Sequence, residues 1–208
     1  MTSVVKLRCH PLTRGRWNDF EQLFGKNGAC GGCWCMLWRV SRKEFDAQKG
    51  NGNRQAMKRL VESGREPGLL GYLDGQPVGW CALAPRDDYP SLARSRVLKP
   101  VDDQPCWSVS CLFVHRAHRK KGVSTQLLRA AADYARKQGA RLLEGYPVEP
   151  KGDKPIPPVF AWTGIPKAYA AAGFTEVARR SPTRPIMRHD CQVIRNAASP
   201  AKRRSTRQ

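Results

Sequence analysis

Apolar side chains recur at helical spacing in three segments of the chain, and a glycine follows each of them. Residues 16–24, 53–63 and 122–138 each place apolar side chains on one face. Because this period matches the turn of a helix, the three segments are predicted to be helices, and the second and third end before Gly64 and Gly139. Shorter helices are predicted at the capping box Ser41-Arg-Lys-Glu44, within residues 85–105, and over residues 166–172.

Short apolar runs between these helices predict strands. Residues 68–73 and 76–83 flank Asp74 and Gly75, a pair that is typical of the tight turn in a β-hairpin. A glycine-rich break at 25–32 separates two of the helical segments. The other predicted strands are residues 4–7, 107–114 and 141–146, the last followed by a proline-rich loop at 147–158, and a closing hairpin of 174–178 with 185–188.

The length of 208 residues suits one domain, which we predict to span residues 1–189. Residues 190–208 are polar and basic, and we predict that they form a disordered tail. No apolar run approaches the ~20 residues of a membrane helix, and the first residues lack the apolar stretch of a secretory signal. We therefore expect a cytoplasmic protein without a membrane partner, and its eight cysteines are expected to be thiols rather than disulfides.

The formal net charge of +20 favours anionic partners, and part of this charge lies in one turn. Arg119-Lys-Lys-Gly122-Val-Ser124 connects the predicted strand 107–114 to the predicted helix 122–138. The first N–H groups of a helix have no internal acceptor, and the helix dipole adds partial positive charge there. The turn is therefore suited to bind a phosphate group. A solvated basic loop that caps the helix is the alternative.

The same turn resembles the R/Q-x-x-G-x-G/A motif of the GNAT superfamily of acyl-CoA-dependent N-acyltransferases. Ala168-Tyr-Ala-Ala-Ala-Gly-Phe174 is similar to the A-x-x-x-x-G-F segment of that family. The resemblance covers residues 68–188 well and the first 65 residues loosely. Ser124 departs from the usual glycine or alanine, but serine is small and its hydroxyl can bond a phosphate oxygen. The resemblance implies an α/β (α+β) fold with a mixed, mostly antiparallel central sheet flanked by helices.

The resemblance also implies a reaction: transfer of an acetyl group from acetyl-CoA to a primary amine by direct attack. Acetyl-CoA is then a co-substrate, and no metal is expected. Residues Leu112, Phe113 and Val114 would bond the pantetheine arm, and an N–H there would polarise the thioester carbonyl. The backbone amides of the turn would hold the pyrophosphate; they belong to Arg119, Lys120, Lys121, Gly122, Val123, Ser124 and Thr125.

Two residues match catalytic positions of the family. Tyr169 matches the tyrosine that protonates the leaving thiolate in many members, and a core tyrosine is the alternative. Glu144 resembles a strand glutamate that some members use as the base, directly or through water, and burial would raise its pKa. A salt-bridge partner for one of the many arginines is the equal alternative for Glu144. His115 is a weaker candidate for the base and is more typical of a surface turn.

The segment Cys30-Gly-Gly-Cys-Trp-Cys-Met-Leu-Trp38 has two interpretations. Its CxxC pattern is typical of zinc ligands, but no second pair follows at the usual spacing. Cys9-His10 and His189-Asp-Cys191 would reach it only if the two ends of the chain converge. The family layout places this segment in the acceptor pocket, where Trp34, Met36 and Trp38 would form an apolar wall. Packing between the first helices and the sheet is the alternative.

The acceptor remains open between a small-molecule amine, including a toxic one, and an amine on a protein. A different class of function is a GNAT scaffold that binds nucleic acid or the ribosome and catalyses little, since the net charge and the basic Lys202-Arg-Arg204 favour phosphate backbones. No recognisable nucleic-acid-binding motif is present. The two functions coexist if the acceptor amine lies on aminoacyl-tRNA or a ribosomal protein.

Overall fold

A computed structural model describes residues 6–150, 152, 156–157 and 160–192 of the chain. In this part of the chain, the strands form one seven-stranded sheet in the order β1-β2-β3-β4-β5-β7-β6. All neighbouring strands are antiparallel except β4 and β5, which are parallel. The strands are β1 (Arg8–Pro11), β2 (Gly68–Leu73), β3 (Gln76–Pro85), β4 (Trp107–Val114), β5 (Leu142–Gly145), β6 (Thr175–Arg179) and β7 (Pro185–Asp190).

Helices cover both faces of the sheet, and each face has its own apolar core. Alternate residues of β2 show the division, since Leu69 packs with the long helix that follows β4 and Leu70 packs with the N-terminal helices. The helices are α1 (Trp17–Phe24), α2 (Arg42–Ala47), α3 (Asn51–Glu62), α4 (Pro90–Ala93), α5 (Val123–Lys137) and α6 (Pro166–Ala172). The predicted fold class, α/β (α+β) with a mostly antiparallel sheet flanked by helices, is confirmed.

Local signals in the sequence correspond closely to these elements. At the start of α2, the backbone N–H of Glu44 donates to the Ser41 hydroxyl oxygen, and the N–H of Ser41 donates to the Glu44 carboxylate, as in a capping box. The predicted hairpin forms at Asp74 and Gly75, both of which have positive φ angles. Within residues 85–105, α4 is the predicted short helix, and a 3-10 turn at Arg86–Asp88 precedes it.

The prediction for the first strand was wrong in its position. Residues 6 and 7 precede β1, which begins at Arg8 and pairs with Tyr72 of β2. The N–H of Leu7 donates to Gln126 Oε1 of α5 at 2.9 Å, so the backbone N–H of this residue bonds to the helix rather than to a strand. Residues 4 and 5 lie outside the described residues.

The described fold continues past the predicted domain boundary at residue 189. Asp190 is the last residue of β7, and Cys191 is buried against the core. Residues 193–208 lie outside the described residues, so the disordered tail stays a prediction. Within the described residues, no helix has the length and apolar character needed to cross a membrane.

Candidate active site

The parallel strands β4 and β5 pair over only part of their length, and this opens a cleft in the sheet. Trp107, Ser108 and Val109 pair with β5, and the pairing ends where Val109 meets Gly145. An extra residue, Ser110, bulges from β4 at this point, because Ala82 of β3 faces Cys111 whereas Leu83 faces Val109. Residues 110–114 then continue along β3 alone. We call the space between these residues and the end of β5 the β4–β5 cleft.

A short segment of the chain lies in this cleft. Residues 162–164, which we call the strap, bond to the chain on both sides of the opening. The N–H of Leu112 donates to the Trp162 carbonyl at 2.7 Å, and the N–H of Val148 donates to the Gly164 carbonyl at 2.9 Å. Gly164 has a φ of +84°, and a Cβ there would lie 2.9 Å from the Leu112 side chain. The strap is therefore closely fitted to β4.

The predicted acid Tyr169 lies in the same cleft and is fully buried. Its ring packs directly on Gly145, where a Cβ would come within 2.1 Å of the ring. The Tyr169 hydroxyl donates to the Thr163 carbonyl of the strap at 3.0 Å. Burial raises the pKa of Tyr169 well above its usual value, so the hydroxyl keeps its proton. Tyr169 is thus part of the core, and its hydroxyl faces the strap in the cleft.

The basic turn has the backbone of an anion-binding site. Lys120 and Gly122 have φ angles of +60° and +75°, and the open space around Gly122 leaves its backbone accessible. The N–H of Gln126 makes the first helical bond, to the Gly122 carbonyl at 3.2 Å, so the N–H groups before it in α5 have no helical acceptor. The first turn of α5 carries no acidic residue. Its positive end therefore faces solvent beside three exposed cationic side chains, those of Arg119, Lys120 and Lys121.

The remaining donor-site residues predicted from the sequence divide between the cleft and the core. Leu112 presents its N–H to the cleft, whereas Phe113 packs against Phe24 on the opposite side of β4, with 5.7 Å between ring centroids. The carbonyl of Val114 accepts a hydrogen bond from Arg119 Nε at 3.0 Å, which ties the turn to the end of β4. Val123 is buried under the turn, whereas Ser124 and Thr125 are partly exposed in the first turn of α5.

Glu144 occupies the position predicted for a base, but both of its carboxylate oxygens are engaged. Arg86 Nη1 donates to Oε1 at 2.7 Å, and Arg188 Nε donates to Oε2 at 2.9 Å. The Tyr146 hydroxyl donates to Oε1 at 2.8 Å, and Glu144 has no exposed surface. With both oxygens held by guanidinium groups, the carboxylate has no free oxygen to take a proton from an amine. This geometry favours the salt-bridge alternative for Glu144.

The arginines around Glu144 extend the network to the surface. Arg188 also donates to both oxygens of Asp102, at 2.6 and 3.0 Å, and this contact holds the pKa of Asp102 below its usual value. The Ser108 and Tyr146 hydroxyls are 2.7 Å apart, which joins β4 to the same network. His115 is an exposed residue of the turn after β4, as its surface interpretation predicted.

The aromatic wall predicted for the acceptor pocket is only partly at the cleft. Trp34 and Met36 are 5% exposed and belong to the core beneath the N-terminal helices, where Trp34 stacks on Phe24. Trp38 instead lies beside Trp162 of the strap, with ring centroids 5.9 Å apart. Trp34 and Met36 therefore lie in the core, where the packing alternative places them, and only Trp38 of the three lies at the site.

The cysteines of the same segment form no metal centre in the described part of the chain. Cys30 is exposed, Cys35 is buried, and Trp80 Nε1 donates to Cys35 Sγ at 3.0 Å. No group of three His, Cys, Asp or Glu side chains among the described residues is placed to hold a metal ion. The zinc interpretation of Cys30 and Cys33 gains no support from this arrangement.

Two parts of the site, the strap and Arg184, were missed in the sequence. The strap lies in a loop whose sequence, Ala161-Trp-Thr-Gly164, has no periodic pattern, and Arg184 lies in the connection between β6 and β7. Arg184 Nη1 is 3.3 Å from the Thr163 hydroxyl oxygen.

Two grooves of about 390 and 410 Å³ lie elsewhere, around Arg39 and Arg65, and neither is lined by cleft residues.

A strand pair that opens beside a positively charged helix N-terminus, with a tyrosine in the opening, is the arrangement expected for the class of acyl-CoA-dependent transferases that the sequence resembles. A family model described as the Acetyltransferase (GNAT) family matches residues 34–150. The match covers more than half of the chain, so the chain belongs to the GNAT acetyltransferase family. Acetyl-CoA is the co-substrate of this family, as the resemblance implied.

Solved structures agree with this fold. A GNAT-family acetyltransferase from Listeria monocytogenes matches with a TM-score of 0.56 and 10% identity, covering 91% of this chain and 98% of that one. An N-acetyltransferase from Staphylococcus aureus matches with a TM-score of 0.52 and 12% identity, covering 90% and 99%. At these identities the likeness shows the fold alone. A Salmonella typhimurium protein solved with its cofactor acetyl-CoA matches with a TM-score of 0.49 and 15% identity, covering 94% and 98%.

A search of curated proteins gives no significant match. None of these matches concerns nucleic acid or the ribosome, so the alternative of a binding scaffold with little catalysis has no support from them.

Proposed function

We propose that this protein is an N-acetyltransferase that moves the acetyl group of acetyl-CoA to a primary amine by direct attack. The observation that carries the proposal is the position of the Tyr169 hydroxyl. It lies in the β4–β5 cleft, where it contacts the same strap that bonds to Leu112. The anion-binding turn follows at the end of β4, so one strand connects a phosphate site to a buried proton donor.

Acetyl-CoA would bind with its pyrophosphate at the turn and its pantetheine arm in the cleft. The N–H groups of residues 119–125 are suited to the pyrophosphate, since they combine a helix N-terminus with three cationic side chains. The pantetheine arm would follow β4 and take the Leu112 N–H that now donates to Trp162. Binding therefore requires the strap to leave β4. The freed N–H groups of β4 would then polarise the thioester carbonyl.

Movement of the strap also frees the acid. The Tyr169 hydroxyl loses its acceptor, the Thr163 carbonyl, and becomes available to the sulfur. As the amine nitrogen bonds to the carbonyl carbon, the carbon–sulfur bond breaks, and Tyr169 gives its proton to the thiolate. The amine loses a proton to water, and the phenolate regains one from solvent. Glu144 stays paired with Arg86 and Arg188. Its role in the proposal is to hold β5 and β7 together.

The acceptor would enter beside the strap, where Trp38 and Trp162 present aromatic surface. The Trp38 indole N–H is buried and has no acceptor in the described part of the chain. A buried donor of this kind is unusual, because nearly all such groups are paired. A polar atom of the acceptor would satisfy it. The site therefore suits an amine with an apolar part and a hydrogen-bond acceptor.

Calorimetric titration of acetyl-CoA into the protein tests the donor site, with Gly122→Glu as the altered chain. The new carboxylate would lie among the turn amides, and affinity should fall at least ~10-fold by charge repulsion. Gly139→Glu is the matched control, because Gly139 also has positive φ and open surroundings but lies at the other end of α5. Absence of binding to the folded wild-type chain would overturn the proposal. Release of free thiol in the presence of primary amines then tests catalysis.

A further inference from the structure

Arg184 lies close to the proposed acid without a charged partner. It occupies the connection between β6 and β7, and its Nη1 atom is 3.3 Å from the Thr163 hydroxyl oxygen. The carbonyl of the same threonine accepts the bond from the Tyr169 hydroxyl. One residue of the strap therefore separates the guanidinium group from the hydroxyl that would protonate the thiolate. A ligand that displaces the strap would meet both groups.

The lack of an acidic partner in the described part of the chain separates Arg184 from four other shielded arginines. Within the described residues Arg184 forms no ion pair, although it is partly buried. Burial lowers its pKa, which reflects the cost of removing a cation from water. Four other partly or largely buried arginines contact a carboxylate: Arg39 contacts Asp88, Arg54 contacts Glu21, Arg86 contacts Glu144, and Arg188 contacts Glu144 and Asp102. The partly buried Arg16 and Arg180 bond a threonine hydroxyl and backbone carbonyls instead, and neither lies at the strap.

The anion that Arg184 lacks is best supplied by the acceptor. The phosphates of the donor are expected at the N-terminus of α5, whereas Arg184 lies beside Tyr169, where the acyl group reacts. Two donors border the strap: Arg184 contacts Thr163, and the Trp38 indole N–H, beside Trp162, has no acceptor in the described part of the chain. A guanidinium group binds a carboxylate through two parallel hydrogen bonds, which suits a small planar anion next to the reacting amine.

We propose that Arg184 is a specificity residue that binds a carboxylate of the acceptor, and that the acceptor is an amino-acid-like amine with this carboxylate a few atoms from its amino group. The proposal rests on the proposed N-acetyltransferase function. Displacement of the strap by the donor removes the one bond that Arg184 makes to Thr163. The acceptor carboxylate then takes that place and fixes the amine in front of the thioester.

Pairs of amines that differ only in the carboxylate test this assignment. We would compare L-phenylalanine with L-phenylalaninamide and L-methionine with L-methioninamide, following thiol release from acetyl-CoA. The amides have the less basic amines, so intrinsic reactivity at neutral pH favours them and a preference for the acids is informative. We expect the wild-type chain to prefer the acids by about 30-fold or more in kcat/KM, as for a shielded charge pair.

Arg184→Gln should remove this preference. The kcat/KM for the acids should fall to that for the amides, mainly through KM, while the values for the amides stay unchanged. Arg184→Lys should restore part of the preference, because charge is kept and the paired geometry is lost. Arg180→Gln is the matched control, since Arg180 lies in the same connection but bonds the carbonyls of Lys99 and Pro100 instead of the strap. It should leave both values unchanged.

A second measurement does not depend on turnover. In the presence of saturating CoA, calorimetry should detect N-acetyl-L-phenylalanine but not N-acetyl-L-phenylalaninamide, and Arg184→Gln should abolish the difference. Equal use of acids and amides by the wild type, or equal losses for both in Arg184→Gln, would overturn the assignment. So would the absence of both acid turnover and acid binding in a chain that binds acetyl-CoA. Failure to bind acetyl-CoA would instead overturn the proposed function itself.

Discussion

The backbone N–H of Leu112 donates to the carbonyl of Trp162 across 2.7 Å, and this bond closes the β4–β5 cleft. The same N–H is one that the family resemblance gives to the pantetheine arm. Under the proposed function, the strap and the donor therefore compete for one strand edge. When a site is open in only a fraction of the molecules, the apparent affinity equals the affinity of the open form multiplied by that fraction.

Trp162→Ala should therefore tighten acetyl-CoA binding. The substitution removes the ring contact with Trp38 and weakens the strap without altering β4. An aromatic contact of this kind corresponds to about 2- to 10-fold in the dissociation constant. Calorimetry would measure it, with Phe160→Ala as the control, since Phe160 belongs to the same loop but is 63% exposed. Unchanged or weaker binding by Trp162→Ala would show that the strap does not oppose the donor.

Tyr169→Phe should lower kcat about 100-fold and leave the acetyl-CoA dissociation constant unchanged, because the hydroxyl acts on the leaving sulfur and not on the bound donor. Since burial raises the pKa of Tyr169 well above its usual value, the acid form persists through the neutral and mildly alkaline range. The wild-type kcat should therefore not fall between pH 7 and about pH 10, where a free tyrosine ionises. Rates at saturating acceptor would measure both effects.

The matched control for this substitution is Tyr134→Phe on α5. Tyr134 also donates its hydroxyl to a protein acceptor, Glu66, but it lies far along the helix from the turn. The kcat of Tyr134→Phe should match that of the wild type. A Tyr169→Phe chain with normal turnover would leave Tyr169 as a core residue only.

Glu144→Gln should lower the free energy of unfolding rather than remove a catalytic base. The change leaves Arg86 and Arg188 without their shared carboxylate, and breaking a buried ion pair on one side costs about 3 kcal/mol or more. Urea unfolding would measure the loss. Glu176→Gln, which breaks an exposed pair with Arg179, should cost less than about 1 kcal/mol. A Glu144→Gln chain of normal stability and much lower kcat would restore Glu144 as the base.

Local patterns in the sequence were enough for most of the sheet and for the turn at the start of α5. The bounds of β4 and α6 agree with the predicted segments, because apolar periodicity and bordering glycines or prolines act over a few residues. The turn at Gly122 could be found for the same reason. Its chemistry depends on backbone groups at one helix end, which the order strand, glycine, helix already specifies.

The rest of the site depends on contacts between distant parts of the chain. Glu144 meets Arg86 and Arg188, which are 58 and 44 residues away, and no local pattern distinguishes that carboxylate from a catalytic one. Trp34 and Trp38 are four residues apart in one segment, yet one is in the core and the other faces the strap. The position of the strap itself depends on the end of β4–β5 pairing.

The buried thiols should make stability fall in alkaline solution. Burial raises the pKa of Cys81 well above its usual value, and that of Cys9 to about 11. Thiols of the unfolded chain ionise near ~8.5, so above that pH the unfolded state loses protons that the folded state keeps. The stabilisation is fully present below this pH and is lost as pH rises towards the folded pKa. Each such thiol lowers the free energy of unfolding by about 1.4 kcal/mol per pH unit in this window.

Urea unfolding between pH 8 and 10.5 in a reducing buffer would measure this loss for the wild type, Cys81→Ala and Cys30→Ala. Removing the Cys81 thiol should reduce the slope of stability against pH by about 1.4 kcal/mol per unit above pH 9, whatever its effect on stability at neutral pH. Cys30 is exposed, so its removal should leave the slope unchanged. Equal slopes in all three chains would mean that the Cys81 thiol ionises as easily in the fold as in the unfolded chain.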